Sequence, residues 1–158
     1  MDPKRELLRH AVATVAYRAS KTLRGAPDSF ATFALGDSPR TPAKILAHIG
    51  DLFDWALSQA MGAEAWTDST PLEWPREVER FHQALQQFDA YLASDAPLSA
   101  TPERLLQGAV ADALTHVGQL AMLRRLSGAP IKGENYSRAQ IMAGRVGADQ
   151  ATPRREFD

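Results

Sequence analysis

The stretch Asp112-Ala-Leu-Thr-His116-Val-Gly-Gln119-Leu-Ala-Met-Leu-Arg-Arg-Leu-Ser-Gly128 reads as a helix whose apolar stripe is interrupted by a carboxylate and an imidazole. Leu105, Ala109, Ala113, Leu120 and Leu123 recur at the three- and four-residue steps of a core-facing helix. Asp112 and His116 share that face, because four residues advance a helix by about 6 Å and turn it only about 40° past a full circle. An ionised side chain facing a core is costly unless something pairs with it. His48 repeats the predicament on another helix, three residues after Ile45 and four before Leu52. Two explanations fit: the three side chains meet around a shared cation, or they form a hydrogen-bonded cluster that keeps two helices in register.

Working outward from that stretch, four long helical patterns account for most of the chain. The first runs from about Asp2 to Leu23, with Pro3 early and Leu7, Leu8, Ala11, Val12, Val15 and Ala19 as its apolar stripe. Residues 26–40 form a long connection, partly packed down through Phe30, Phe33 and Leu35. Thr41-Pro42 opens the second helix as cap and first-turn proline, and Gly62 marks its end. A second irregular connection covers Trp66 to Pro75, and the third helix spans roughly Arg76 to Ser94, with Val78, Phe81, Leu85, Phe88 and Leu92 inward. Thr101 caps the fourth, which continues to about Ser127 and is stopped by Gly128 and Pro130. No segment alternates over enough residues to predict a sheet. The expected fold class is therefore all-α, a four-helix bundle over residues 1–130. Because the first connection is long, the second helix need not be a hairpin neighbour of the first. Residues 131–158 are expected to be an irregular extension packed on or near the bundle, with a short helix at Ser137 to Met142.

Composition narrows the chemistry. The chain has 158 residues, enough for one domain with a real core, and a formal charge of −1 from 18 basic and 19 acidic residues. That balance shows no electrostatic footprint for nucleic acid. Cysteine is absent, so disulfides, thiolate nucleophiles and Cys-ligated zinc are all excluded. A metal would have to be held by His with Asp or Glu. No apolar run approaches the roughly 20 residues that span a bilayer, and no signal core precedes the first helix, so a soluble, cytoplasmic protein is expected.

His48, Asp112 and His116 would supply two imidazoles and a carboxylate, leaving positions open for water or substrate. The same donors suit non-haem iron, so ligand type alone does not choose the metal. Weaker candidates surround them. Gln119, one turn beyond His116, could orient a ligand or substrate or be an ordinary surface amide. Trp55 follows His48 on the second helix, where core packing is the simpler reading. Arg18 could meet Asp112 or an anionic substrate, or snorkel at the surface. Tyr136 could cover the site if the tail folds back. His10 and His82 read as boundary residues, and Arg124-Arg125 as a helix-end charge pattern.

The segment Thr41-Pro-Ala-Lys-Ile-Leu-Ala-His48-Ile-Gly-Asp-Leu-Phe-Asp-Trp55, together with His116-Val-Gly-Gln119-Leu-Ala-Met-Leu-Arg-Arg-Leu-Ser-Gly128-Ala-Pro130, resembles the DinB-like (YfiT-like) four-helix-bundle family. The resemblance covers residues 5–130 in helix order and spacing. It implies a divalent metal, often zinc or nickel, held by one His of the second helix and a His-x-x-x-His pair of the fourth. His48 and His116 match those positions, and Asp112 stands where the family has the first His of the pair; iron or manganese would suit the altered set. The resemblance also implies a metal-dependent hydrolase or a transferase that uses a low-molecular-weight thiol cosubstrate, acting on a small molecule, and a homodimer. No membrane or nucleic-acid partner is expected. The alternative is a non-catalytic dimeric bundle whose polar cluster is structural.

Overall fold

A computed structural model describes residues 2–157. Its helices begin where local chemistry can satisfy their free N–H groups. Asp2 and Thr101 cap α1 (Pro3–Leu23) and α4 (Pro102–Leu105) through their side chains, with proline directly after each cap. Thr41 does the same for α2 (Pro42–Met61), which Gly62 ends in a left-handed conformation at φ 78°. α3 (Trp74–Ala93) starts two residues earlier than its apolar pattern suggests: Pro75 lies within its first turn, where proline is tolerated. α5 (Ala111–Leu126) continues the rod begun by α4, but a π turn at Leu106–Val110 separates them. That is the main departure from the single fourth helix expected.

The extra residue of a π turn shifts helical phase, and the burial pattern follows the shift. Leu105, Ala109, Ala113 and Val117 are all buried at successive four-residue steps. An unbroken α-helix would rotate such a series steadily off its face.

α1 packs against α3 and α5, and α2 packs against the same two helices. The first connection thus carries the chain past α3, and Phe30, in a 3-10 turn at Asp28–Thr32, plugs the crossing with its ring edge-on to Trp74 at 5.7 Å. Val12, Ile49, Phe53, Phe81, Leu85, Phe88, Leu92 and Leu120 fill the interior without measurable exposure. Leu7 departs from its expected place in the α1 stripe and is 66% exposed. No helix among the described residues is long and apolar enough to cross a membrane.

Ionic contacts lock the connections to this frame. Arg80 of α3 donates to Asp51 (3.0 Å), Glu77 (2.8 Å) and the Ala47 carbonyl (2.7 Å). Asp51 also accepts from Ser69 Oγ at 2.6 Å and N at 2.9 Å, which fastens the 63–73 connection to α2. Gly50 leaves room for the guanidinium, since a Cβ there would lie 3.1 Å from its carbon. Arg124 stands in the last turn of α5, as its reading as a helix-end charge has it, but it does more than complement the dipole. It is buried and donates to the carbonyls of Thr22, Arg24 and Ala129, serving acceptors at the end of α1.

The C-terminal segment holds more structure than its composition suggests. β1 (Gly133–Glu134) pairs antiparallel with β2 (Glu156–Phe157), Gly133 opposite Phe157 and Glu134 opposite Glu156. The expected helix at 137–142 is absent, and a short 3-10 turn occupies Tyr136–Arg138, supported by Asn135 Oδ1 accepting from Ser137 N. Glu134 is driven against α1, where Tyr17 donates to it at 2.7 Å and Lys21 at 2.9 Å. Burial, and then Glu134, push the Tyr17 hydroxyl pKa up. For Lys21, burial acts to lower the pKa, but Glu156 and Glu134 overcome it and the ammonium is held above its ordinary value. His82, read from sequence as a boundary residue, is buried and donates Nδ1–H to the Val146 carbonyl at 3.3 Å.

Candidate metal centre

Two helix faces form the site. On α2, Ile45, Ile49 and Leu52 are buried and set the helix rotation, which leaves His48 at the seam with α5. On α5, Ala113, Val117 and Leu120 do the same, and Asp112 and His116 reach the seam from the other side. His48 Nε2 lies 3.7 Å from Asp112 Oδ2, and His116 Nε2 lies 3.4 Å from Asp112 Oδ1. One carboxylate therefore turns an oxygen toward each imidazole. The imidazole centroids are 4.7 Å apart and nearly perpendicular, at 87°. The three residues offer donor atoms that all lie within 4.8 Å of one another.

These separations can accommodate a cation between the three side chains. Two donors each about 2.1 Å from a tetrahedral ion lie about 3.4 Å apart, close to both His–Asp distances. Both exceed the usual range for a charge-assisted N–H···O bond, about 2.7–2.9 Å. Two neutral imidazoles and a carboxylate are a competent set for zinc or for other first-row divalent ions, so the residues present can hold a metal.

The surroundings prepare the donors. His116 Nδ1–H donates to Gln119 Oε1 at 2.9 Å, which leaves the Nε2 lone pair facing Asp112 and His48. Burial lowers the pKa of His48; repulsion from His116 adds to this, and Asp112 opposes it. His48 is thereby biased toward the neutral form that a ligand requires. The side chains are 9% (His116), 27% (His48) and 45% (Asp112) exposed. The expectation that all three face the core thus needs correcting: the centre lies at an open seam, with Asp112 at the edge of the face that Ala113, Val117 and Leu120 bury.

Trp66 completes the surface of the site. The Asp51–Ser69 contacts hold its connection in place, and its ring meets His48 at 5.6 Å and Trp55 at 6.0 Å. Trp55 is fixed by its Nε1–H, which donates to Glu64 at 3.1 Å. Glu64 also accepts from Gln59 and lies 3.6 Å from Arg104.

The remaining sequence candidates divide between two places. Gln119 and Trp55 belong to the site, Gln119 through His116 and Trp55 through Trp66. Arg18 and Tyr136 instead meet each other, the guanidinium 4.0 Å above the phenol ring where the C-terminal segment crosses α1. Tyr136 is held there edge-on to Tyr17 at 6.3 Å, so neither Arg18 nor Tyr136 joins the triad. Trp66 was missed in the sequence, where its one visible signal is a large aromatic ring in a polar connection. Compared with known proteins, the chain matches no family model, no curated protein and no solved structure.

Proposed function

We propose that this chain is a divalent-metal-binding protein with a DinB-like four-helix-bundle arrangement, acting on a small molecule as a metal-dependent hydrolase or thiol-dependent transferase. The observation that carries the proposal is the convergence of His48, Asp112 and His116 at a seam open to solvent, with donors within 4.8 Å. Zinc or nickel is the first assignment because the family resemblance implies it, with iron or manganese next, since two imidazoles and a carboxylate suit all four. A bound divalent ion supplies a Lewis acid that depresses the pKa of water or thiol near neutrality. The protein's own part is to bias His48 toward its neutral form, to orient the His116 ring through Gln119, and to leave Asp112 facing the opening. With no cysteine in the chain, a thiol nucleophile would have to arrive as a cosubstrate. We assign a homodimeric state on the family resemblance and, separately from it, a cytoplasmic location.

Elemental analysis of untagged protein, before and after chelation and refilling with each metal, tests this directly. Near-stoichiometric retention should fall at least about tenfold in His116→Ala and His48→Ala, with the helical circular dichroism unchanged. Retention that survives both substitutions would sink the assignment. No retention from the outset would favour the structural cluster, in which case Asp112→Asn should change stability alone.

A further inference from the structure

The two imidazoles of the centre are held unequally. His116 donates its Nδ1–H to Gln119 Oε1 at 2.9 Å. Neither ring nitrogen of His48 makes a hydrogen bond among the described residues, and its Nε2 stands 3.7 Å from Asp112 Oδ2. Helix packing fixes where the His48 Cβ lies, but the last torsion of a histidine is broad and roughly two-fold, so the backbone does not set the ring plane. A ligating group must be held within about 10–20° of its productive geometry. A metal-bound histidine ordinarily gets that constraint from an acceptor on its second nitrogen. His48 has packing in its place.

The packing comes from Trp66. Its ring centroid lies 5.6 Å from that of the imidazole, with the two planes at 64°, and the His116 ring meets His48 at 4.7 Å and 87°. Turning the imidazole about its last torsion would disturb both edge-to-face contacts. Trp66 can constrain its neighbour because it is itself constrained on both sides along the chain. The Ala65 N–H donates to Ser58 Oγ at 3.0 Å just before it. Three residues after it, Ser69 donates twice to Asp51, at 2.6 and 2.9 Å. Both anchors belong to α2, the helix that carries His48, so indole and imidazole share one frame. Trp55 of the same helix meets the indole at 6.0 Å and 86°. Trp66 is nonetheless 47% exposed, so filling the core does not account for its place.

We propose that Trp66 is the positioning residue of His48, holding the imidazole plane in the orientation that faces Asp112 and His116, as Gln119 holds His116 by a hydrogen bond. That orientation is a property of the metal-free chain; its consequence for metal affinity rests on the proposed metal centre. Leucine at position 66 would cover the same surface without a flat ring, whereas phenylalanine would keep a ring beside the imidazole.

Two measurements on the parent, Trp66→Leu and Trp66→Phe test this: zinc affinity by competition with a chromophoric chelator, and proton cross-relaxation between the His48 and His116 rings in metal-free protein. Trp66→Leu should weaken zinc by about two- to tenfold, the range of one aromatic pair, and lose the cross-peak that joins the two imidazoles. Trp66→Phe should stay within about twofold of the parent affinity and keep the cross-peak. Metal-free melting temperatures should match the parent in both variants, which separates a lost orientation from a lost fold. Parental zinc affinity in Trp66→Leu, a cross-peak that survives in it, or equal losses in the two variants would overturn the proposal, and zinc retention by the parent would then leave the metal centre standing. A parent that holds no zinc, with the cross-peak lost in Trp66→Leu alone, would do the reverse: the metal centre falls and the positioning of His48 stands.

Discussion

Truncating Glu134 to Ala is expected to release the C-terminal segment from α1 while the helices stay folded. The Glu134 side chain is fully shielded and receives the Tyr17 hydroxyl at 2.7 Å and the Lys21 ammonium at 2.9 Å. Its removal leaves a buried phenol without a partner, a cost of about 1–3 kcal/mol. It also takes one of two carboxylates from a Lys21 side chain only 7% exposed; breaking such a pair with no replacement anion costs about 3–5 kcal/mol. Glu156 remains 2.8 Å from Lys21, which places the combined effect near the lower end, about 3 kcal/mol. The loss is local in origin. The segment keeps buried Val146 and the stacking of Arg18 on Tyr136, and once these no longer hold it, detachment caps what the core can lose.

Hydrogen exchange separates the two levels. The amide of Asn135, which donates to the Arg155 carbonyl at 3.0 Å, should lose protection by about two orders of magnitude, and the α3 amides should change far less. Glu134→Gln keeps an acceptor for Tyr17 and should lose less than Glu134→Ala. Asn135 protection in Glu134→Ala within about 0.5 kcal/mol of the parent would refute the reasoning, since that is the range of an ordinary surface substitution.

Three further outcomes follow from buried ionisable groups and one constrained turn. Arg80→Met should destabilise the fold by about 3–5 kcal/mol in urea titration, because Asp51 and Glu77, at 1% and 0% side-chain exposure, would lose the cation between them; a loss below about 1 kcal/mol would contradict this. Burial lowers the pKa of His82, against the pull of the Val146 carbonyl, so the unfolded chain takes up its proton first as pH falls. The stability it contributes is present above an unfolded pKa of about 6.5 and is lost below it, so acidifying from neutrality should lower the melting temperature more in the parent than in His82→Gln; parallel curves would count against the assignment. Gly62→Ala should cost about 1–2 kcal/mol by thermal melting, since φ is 78° and the new Cβ would meet Ser99 Oγ at 2.7 Å; an unchanged melting temperature would show that the turn relaxes freely.

Much of the helical framework was legible because its signals act within one or two turns. Asp2, Thr41 and Thr101 cap nearby amides, prolines occupy first turns, and the apolar steps of α2 and α3 mark their inner faces. The pairing of Asp112 with His116 was legible for the same reason, since spacing alone places both on one face. His48 also stood out on its own helix, but its position opposite that pair depends on how α2 and α5 pack across 64 residues of chain. Periodicity misjudged Asp112, which is 45% exposed because it sits at the edge of the face that Ala113, Val117 and Leu120 bury, and how far a neighbouring helix covers such an edge is not written in the spacing.

By itself, then, the sequence determined a helical, cysteine-free chain with two imidazoles and a carboxylate set among apolar faces, because helix capping, helical spacing and composition are local properties. Tertiary structure alone decided that Trp66 stands against His48, held by a connection that Asp51 and Arg80 anchor. It also decided that Arg18 turns to Tyr136 rather than to Asp112, and that Glu134, a residue with no local mark of importance, is buried between Tyr17 and Lys21. Each of these contacts joins groups distant in the chain, and each depends on the desolvation that only packed elements impose.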